Sequence, residues 1–395
     1  MLLLLPLLFG AEPAPEFRVY STVKEPAVGA IQKMEKDRTV QLRSNDELSI
    51  PGVELVSLRQ THATLPATPS GAHVVFANGD KLPGRVTTIS NGKVNFRMQV
   101  AADSTAANES ADLAIPLSAL AVIWLVPPPE SLPPAVAKLL QERRRQDVVL
   151  MNNGDWRQGT VDSASKDGKL RLKEKNAIQE IDVIHVTAIA LNTDLARTLK
   201  PRGAYPRVVL RNGCRLSLLS ATGDDRVLAG RTLFAADISL PWREIAAFDV
   251  LQGPAAYLSD LKPKSYSHTP FLGVAWPYMN DRSVSGGELR LGGNSYDKGV
   301  GLHSECRISY ALDGAFRRFE SIVGLDDHGG RGGNVRIRVF VDGQEKAGGE
   351  LNSGGQPRAL AIDLTQAKDL TLVVEFGSGG DVCDHVNWAD ARLIK

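Results

Sequence analysis

The sequence predicts an all-β protein in which tandem small β-barrel-like repeats precede a jelly-roll β-sandwich. Short apolar segments of strand length alternate with Asn-Gly and Asp-Gly turns over most of the 395 residues. The 36 glycines and 22 prolines supply the many turns that such folds need. From about residue 254 onward the strands become evenly spaced and their turns glycine-rich, which is typical of a two-sheet sandwich.

The N-terminal residues 1–16 are predicted to be a signal peptide and leader. The leucine-rich run before Gly10 has the length of a signal h-region and is too short to span a bilayer, which takes about 20 residues. Pro6 and Pro13 disfavour the alternative of a buried N-terminal strand, because proline cannot donate to a strand ladder. No later segment is long and apolar enough to cross a membrane. The protein is therefore expected to be secreted, periplasmic or associated with the cell envelope.

One motif occurs three times in the middle of the chain, beginning at Val74, Val148 and Val208. Each copy is an apolar strand, an Asn-Gly turn and a second strand, and Asn-Gly favours a type I′ hairpin turn. A further turn, another strand and a closing apolar segment follow in every copy. Several short strands in about 45 residues suit a small curled barrel, loosely similar to the SH3 and Sm-like class. The predicted repeats are 73–126, 147–192 and 207–252, after a degenerate copy at 17–65.

The region 254–395 is predicted to be one antiparallel sandwich of seven or eight strands. Alternation is clearest where Val335, Ile337, Val339 and Val341 would share one buried face. Glycines between the strands supply the turns that connect the two sheets. The last third of the chain is therefore expected to fold as a domain of its own.

Two segments of this region carry a family resemblance: 291–303, Leu-Gly-Gly-Asn-Ser-Tyr-Asp-Lys-Gly-Val-Gly-Leu-His, and 384–393, Asp-His-Val-Asn-Trp-Ala-Asp-Ala-Arg-Leu. They resemble NPCBM, a carbohydrate-binding module attached to glycoside hydrolases, and the order and spacing match from Tyr257 to Lys395. The resemblance implies a galactose-binding-like sandwich that binds glycans, some of them galactose-containing, and that holds a structural calcium in many members. The chain departs from the pattern at 262–271, where many members continue directly to a tryptophan-containing segment.

A saccharide site needs an aromatic face for the C–H side of the sugar and polar groups for its hydroxyls. The candidate carbohydrate-binding residues are His303, Asp326, Asp327, His385, Asn387, Trp388 and Trp276. Structural alternatives stay open for several of them: a core position for Trp388, a turn-ordering role for Asp327 and an internal hydrogen-bonded position for His303. The candidate calcium ligands are Asp281, Asp297 and Asp390, since calcium prefers carboxylate and carbonyl oxygens.

Composition argues against several other functions. The 46 basic and 45 acidic side chains leave no excess charge for nucleic acid. The seven histidines are scattered and no Cys-x-x-Cys occurs, which disfavours zinc. A glycosidase scaffold of about 250 alternating β/α residues is missing, so no enzymatic activity is predicted. A disulfide between Cys306 and Cys383 is left open, as the three cysteines cannot all pair.

The sequence thus predicts a non-catalytic carbohydrate-binding protein whose partner is a glycan or polysaccharide. The alternative is a structural or protein-interaction protein of the cell envelope whose sandwich has lost sugar binding. In either case the N-terminal repeats could dock envelope proteins. Neither nucleic acid nor an integral membrane span is expected.

Overall fold

A computed structural model describes residues 14–23, 25–44, 47–101, 110–129, 134–175, 177–271, 273 and 275–395. Residues 1–13, which carry most of the predicted signal peptide, lie outside this range. The described chain is nearly all β, as predicted. None of the helices in these residues is long and apolar enough to cross a bilayer.

The first twenty strands form four units of five strands each. Unit one contains β1 (Glu16–Ser21), β2 (Ala27–Met34), β3 (Val40–Arg43), β4 (Glu47–Ile50) and β5 (Leu55–Gln60). Unit two contains β6 (His73–Phe76), β7 (Lys81–Ser90), β8 (Lys93–Gln99), β9 (Ser110–Pro116) and β10 (Leu120–Trp124). Unit three contains β11 (Asp147–Met151), β12 (Trp156–Ala164), β13 (Lys169–Glu174), β14 (Ala177–Asp182) and β15 (Val186–Ala190). Unit four contains β16 (Tyr205–Leu210), β17 (Arg215–Gly223), β18 (Val227–Thr232), β19 (Asp237–Pro241) and β20 (Ile245–Leu251).

All four units use the same antiparallel pairing. Strands one to four form a meander, and the fifth strand returns to pair with the first, as β5 does with β1 and β10 with β6. In units two to four a 3₁₀ turn precedes the fifth strand: Leu117–Ala119, Val183–His185 and Trp242–Glu244. The closure of each unit into a barrel stays a prediction.

The fifth strands also join the units in two pairs. β10 pairs with β15, which links units two and three, and β20 pairs with β5, which links units four and one. Helix α1 (Pro134–Gln141) covers the first of these junctions, where Val136 packs among Val122, Trp124, Val148 and Leu150. Strand pairing therefore links the repeats into one β assembly rather than leaving them as separate domains.

The type I′ prediction for the first turn of each repeat is wrong. Only the glycine of the Asn-Gly pair has positive φ there, at +88° for Gly79, +89° for Gly154 and +85° for Gly213. The asparagine Oδ1 instead accepts the backbone N–H two residues later, at 3.1 Å in all three copies. This side-chain bond stabilises the turn with asparagine at negative φ. Both φ values are positive at the second turn of unit two, Asn91–Gly92.

The C-terminal region is a two-sheet sandwich, as predicted. One sheet has the order β23 (Met279–Asn280), β26 (Gly299–His303), β33 (His385–Ile394), β28 (Arg318–Leu325) and β31 (Arg358–Asp363), and β21 (Ala255–Tyr257) pairs with β33. The other has the order β22 (Ser265–His268), β27 (Cys306–Ala311), β32 (Asp369–Phe376), β29 (Asn334–Val341) and β30 (Gln344–Asn352). A separate hairpin joins β24 (Leu289–Leu291) to β25 (Asn294–Tyr296). The alternating face predicted on β29 lies in the core between the sheets.

The sandwich packs against units one and four and the segment between units one and two. Arg59 of β5 bonds Asp390 of β33 at 3.0 Å, and Arg215 of β17 bonds Asp297 at 3.1 Å. The backbone of Leu65 also bonds the hairpin, since its N–H donates to Asn294 Oδ1 at 2.8 Å. These contacts define the domain interface.

Candidate functional site

Four aromatic side chains meet at one end of the sandwich: His268, Trp276, His303 and His385. We call them the His–Trp cluster. His268 ends β22, His303 ends β26 and His385 begins β33, while Trp276 lies in the segment after β22. The β26–β33 register places His303 directly opposite His385. The sheet topology therefore brings together His303 and His385, which lie 82 positions apart along the chain.

Glycine is required where β26 approaches this end. A Cβ atom at Gly301 would lie 2.4 Å from the carbonyl oxygen of Arg282, far below any contact distance. Glycine alone lets the strand pass this close to the preceding loop. This close passage positions the backbone of His303, two residues later, within the cluster.

Ring stacking organises the cluster. Trp276 and His303 are parallel within 4°, with ring centroids 4.7 Å apart. His385 lies 5.7 Å from Trp276 and 5.5 Å from His303 by the same measure, and His268 lies 6.0 Å from His303. His303 is buried, whereas Trp276 and His385 are half-buried. The stack thus presents a partly exposed indole on a buried imidazole.

Hydrogen bonds to one carbonyl fix two of the histidines. His303 Nδ1 donates to the Ser304 oxygen at 2.7 Å, and His268 Nε2 donates to the same oxygen at 3.0 Å. The backbone N–H of Trp276 donates to His268 Nδ1 at 3.3 Å, which assigns the proton of His268 to Nε2. The Ser304 hydroxyl in turn donates to Asp384 at 2.5 Å. His303 therefore keeps Nε2 as a hydrogen-bond acceptor.

His385 differs from its neighbours because its buried Nδ1 has no hydrogen-bond partner in the described residues. Burial lowers the pKa of His385, and the nearby His303 lowers it further, against the opposing effect of Asp326. The neutral imidazole is therefore favoured at pH 7. A neutral ring can both donate to and accept from hydroxyl groups.

The depressed pKa of His385 predicts an acid-sensitive site. The folded state resists protonation of His385. Its contribution to stability is therefore fully present above the ordinary histidine pKa of 6.5 and is lost as the pH falls through the lower pKa that His385 has in the folded state. We expect the thermal midpoint of the wild type to drop more than that of His385→Gln between pH 7.5 and 5.5. Differential scanning calorimetry measures both slopes. Burial also lowers the pKa of His73, but His73 contributes equally to both proteins. Equal changes of the thermal midpoint with pH in the two proteins would contradict the lowered pKa of His385.

The two neighbouring aspartates that the sequence singled out have different roles. Asp326 is buried, accepts a hydrogen bond from the Ser283 hydroxyl and donates its backbone N–H to the His385 carbonyl at 2.8 Å. Asp326 thus holds the backbone of His385, a member of the cluster, in place. Asp327 is exposed, and its two oxygens accept the backbone N–H groups of Gly292 and Gly293 at 2.9 and 2.8 Å. Asp327 orders the β24–β25 turn, which is the structural alternative left open by its sequence.

Two predicted sugar ligands lie in the interior, and this corrects the prediction. Trp388 and Asn387 are both 0% exposed, and the Trp388 ring packs in the core with its centroid 6.5 Å from that of Phe319. A side chain covered on all sides cannot stack on a saccharide. Trp276 is the tryptophan that the fold leaves accessible at the cluster, a few residues after the segment 262–271 that departs from the family pattern.

Sequence reasoning missed His268 and an exposed aromatic beside it. Phe271 is 58% exposed and contacts Phe376 edge-on, with centroids 5.6 Å apart. Both missed residues lie in or next to the departing segment 262–271. The signal that could have found them is the concentration of aromatic residues between Tyr266 and Trp276.

The three predicted calcium ligands each face a protein cation. Asp297 bonds Arg215, and Asp390 bonds Arg59 in the domain interface. Asp281 bonds Lys298 at 2.9 Å. The described residues include no group of three or more acidic, histidine or cysteine side chains placed to hold a metal. Calcium at these carboxylates would have to displace the paired cation, and its binding stays a prediction. Cys306 and Cys383, the pair left open for a disulfide, are free.

Comparison with known proteins identifies the family of this region. Residues 255–394 match the NPCBM/NEW2 domain. A segment of 110 residues is 27% identical to a Renibacterium salmoninarum protein described as "Putative endo-alpha-N-acetylgalactosaminidase", and it spans 28% of this chain but only 7% of that protein.

Two solved structures from Clostridium perfringens are also similar. One is the CBM51 module of GH95 in complex with methyl-galactose. It is 28% identical, the match covers 35% of this chain and 99% of that chain, and the TM-score is 0.33. The other comprises CBM51-2 in complex with GlcNAc and the INT domains of ZmpB. It is 26% identical, the match covers 45% of this chain and 37% of that chain, and the TM-score is 0.33. The sequence match, together with the sandwich described above, shows that residues 255–394 are an NPCBM/NEW2 domain.

Proposed function

We propose that the protein binds saccharides without catalysis through the His–Trp cluster of its NPCBM/NEW2 domain, in an exported or envelope-associated setting. The observation that carries this proposal is the half-buried indole of Trp276 held parallel to His303. Domains of this family are non-catalytic binding modules associated with glycoside hydrolases. The family supports carbohydrate as the ligand class, and the cluster supplies the chemistry.

The cluster has the two properties that a sugar site needs. Stacking on His303 uses one face of the indole, so the exposed part of the ring offers an apolar surface to the C–H face of a pyranose. Beside that surface, the neutral and half-buried imidazole of His385 and the Nε2 atom of His303 supply ligands for sugar hydroxyls. Galactose-containing glycans are the finer proposal, and methyl-galactose is the first probe.

Replacement of Trp276 by alanine tests the proposal. The variant keeps the backbone bond to His268 but loses the aromatic platform, so we expect at least a tenfold loss of affinity for a bound saccharide. Isothermal titration of the full chain against methyl-galactose, lactose and N-acetylglucosamine measures this loss.

The control is Trp156→Ala, which removes a tryptophan that is 45% exposed and lies in unit three, away from the cluster. It should bind like the wild type. Unchanged affinity in Trp276→Ala would overturn the site, and a wild type that binds none of the three sugars would overturn the function.

A protein-interaction role for the repeats is the second candidate. Unit three exposes three large apolar side chains: Trp156 (45%), Ile178 (60%) and Ile184 (82%). When the repeats are aligned on their Asn-Gly turns, Trp156 occupies the position of Lys81 in unit two and Arg215 in unit four. Arg215 uses that position to contact the sandwich. We propose that unit three uses this equivalent surface for a protein of the envelope.

A further inference from the structure

A groove of about 420 Å³ lies between unit one and the outer face of the sandwich sheet that contains β28, β31 and β33. Tyr20 and Arg59 line one wall, and Tyr296, Glu320 and Arg392 line the other. We call it the interdomain groove. No member of the His–Trp cluster contributes to it. Its volume falls in the range of about 300–1,000 Å³ that is usual for small-molecule sites.

The charges in this groove compensate one another. Glu320 accepts bonds from Arg318 at 2.7 Å and Arg392 at 2.9 Å, and Asp390 accepts one from Arg59 at 3.0 Å. The remaining charge in the described lining is the exposed Glu25, so the lining residues that the structure describes include three acidic and three basic side chains. An ionic ligand would find no unpaired buried charge in this lining to bind. The free-energy cost of removing the ligand's own hydration water would therefore not be compensated.

A hydroxyl group in the groove lacks a partner. Tyr296 is 8% exposed, and its hydroxyl makes no hydrogen bond to any residue that the structure describes. Burial raises the pKa of Tyr296, so the phenol stays protonated and able to donate. The hydroxyl of Tyr20, on the opposite wall, is also unbonded within the described chain, while its ring lies 5.0 Å from the Arg392 guanidinium. Both hydroxyls line the groove and are available to hydrogen-bond a ligand that carries hydroxyl or carbonyl groups.

Most of the remaining lining is apolar, with Leu65, Ile322 and Leu360 among it, and Asn294 and Ser321 add two uncharged polar side chains. A hydrocarbon ligand would match these walls but would cover the ion pairs without replacing their water, which is costly. A pyranose has both surfaces, because its C–H face is apolar and its rim carries hydroxyls. We propose that the interdomain groove is a second binding site, which takes a neutral saccharide of one or two rings.

The test uses the full chain and saturation-transfer NMR, with lactose and N-acetylglucosamine as neutral probes and galacturonic acid as the charged one. The starting variant is Trp276→Ala, which removes the cluster's platform. Adding Ala359→Trp fills the groove from an exposed position on β31 without entering the core. The matched control adds Ala311→Trp, at an exposed position on β27 of the other sheet.

In the Trp276→Ala background we expect the neutral probes to keep their signal, Ala359→Trp to abolish it and Ala311→Trp to leave it intact. Galacturonic acid should bind more weakly than lactose. Tyr296→Phe should weaken groove binding about three- to tenfold, the effect of one hydrogen bond, with an unchanged thermal midpoint.

The outcomes separate the two sites. If the wild type gives a signal that Trp276→Ala abolishes, the groove proposal is overturned and the cluster stands. If Ala359→Trp alone abolishes the wild-type signal and Trp276→Ala does not change it, the cluster proposal fails and the groove stands. No signal from any probe on the wild type would overturn both.

Discussion

Trp388→Ala is expected to lower the free energy of unfolding by about 3–5 kcal/mol, the usual cost of removing a buried tryptophan. Trp388 is fully buried between the sheets, and its strand β33 pairs with both β26 and β28. The cavity left by the indole would lie at the centre of the sheet, where collapse of neighbouring side chains is limited. Urea unfolding followed by far-ultraviolet circular dichroism measures the change.

Two further variants distinguish a core role from a binding role for Trp388. Trp388→Phe keeps most of the volume and removes an indole N–H that has no partner in the described residues, so its cost should be well below that of alanine. It should also bind saccharide like the wild type. Trp156→Ala, at a half-exposed tryptophan, should change stability by about 0.5 kcal/mol or less. A small effect of Trp388→Ala on stability, combined with loss of binding, would return this residue to the sugar site.

The fold was predictable where local rules act alone. Alternation on β29 and glycine-rich turns are local signals, and they predicted the sandwich. The first turns of the repeats show the limit of such signals. Asn-Gly favours a type I′ turn, but the side chain of Asn78 bonds the backbone of Asp80, which stabilises a different turn with asparagine at negative φ. The pairing of the fifth strands between units was beyond local pattern as well, since it depends on surfaces from distant segments.

The site was predictable in part. The sequence placed His303 and His385 near strand ends, and the β26–β33 register brings them together with Trp276. Exposure was the missing quantity, because a tryptophan in a strand can point to the core or to solvent. The sequence motif favoured Trp388, whereas the accessible indole belongs to the irregular segment. Two of the carboxylates predicted to hold calcium, Asp297 and Asp390, are paired with arginines from distant parts of the chain, which no local spacing can reveal.

Arg215→Met is expected to destabilise the protein by about 3–5 kcal/mol, since it removes a buried guanidinium and leaves the half-buried carboxylate of Asp297 without its main partner. Arg215 is 1% exposed and donates to Asp297 at 3.1 Å, and also to the Pro66 and Ala67 carbonyls at 2.6 and 2.8 Å. One guanidinium thus joins unit four, the segment after unit one and the sandwich. Burial alone would raise the pKa of Asp297, but Arg215 and Arg207 hold it below its ordinary value. Without Arg215 the nearest cation that the structure describes at this carboxylate is Arg207, at 3.8 Å, and Lys81 acts from farther away.

An exposed ion pair of the same unit gives the matched control. Arg231 bonds Asp237 at 3.1 Å, the same distance as the buried pair, but both side chains are largely exposed. Arg231→Met should therefore cost less than about 1 kcal/mol, because water screens the pair. The double variant Arg215→Met/Asp297→Leu removes both buried charges and should recover part of the loss of the single variant. Equal costs for the two arginine variants in urea unfolding would show that the interface bond does not hold the sandwich to the repeats. A large difference, with partial recovery in the double variant, would show that burial makes this bond a strong polar connection between the sandwich and the repeats.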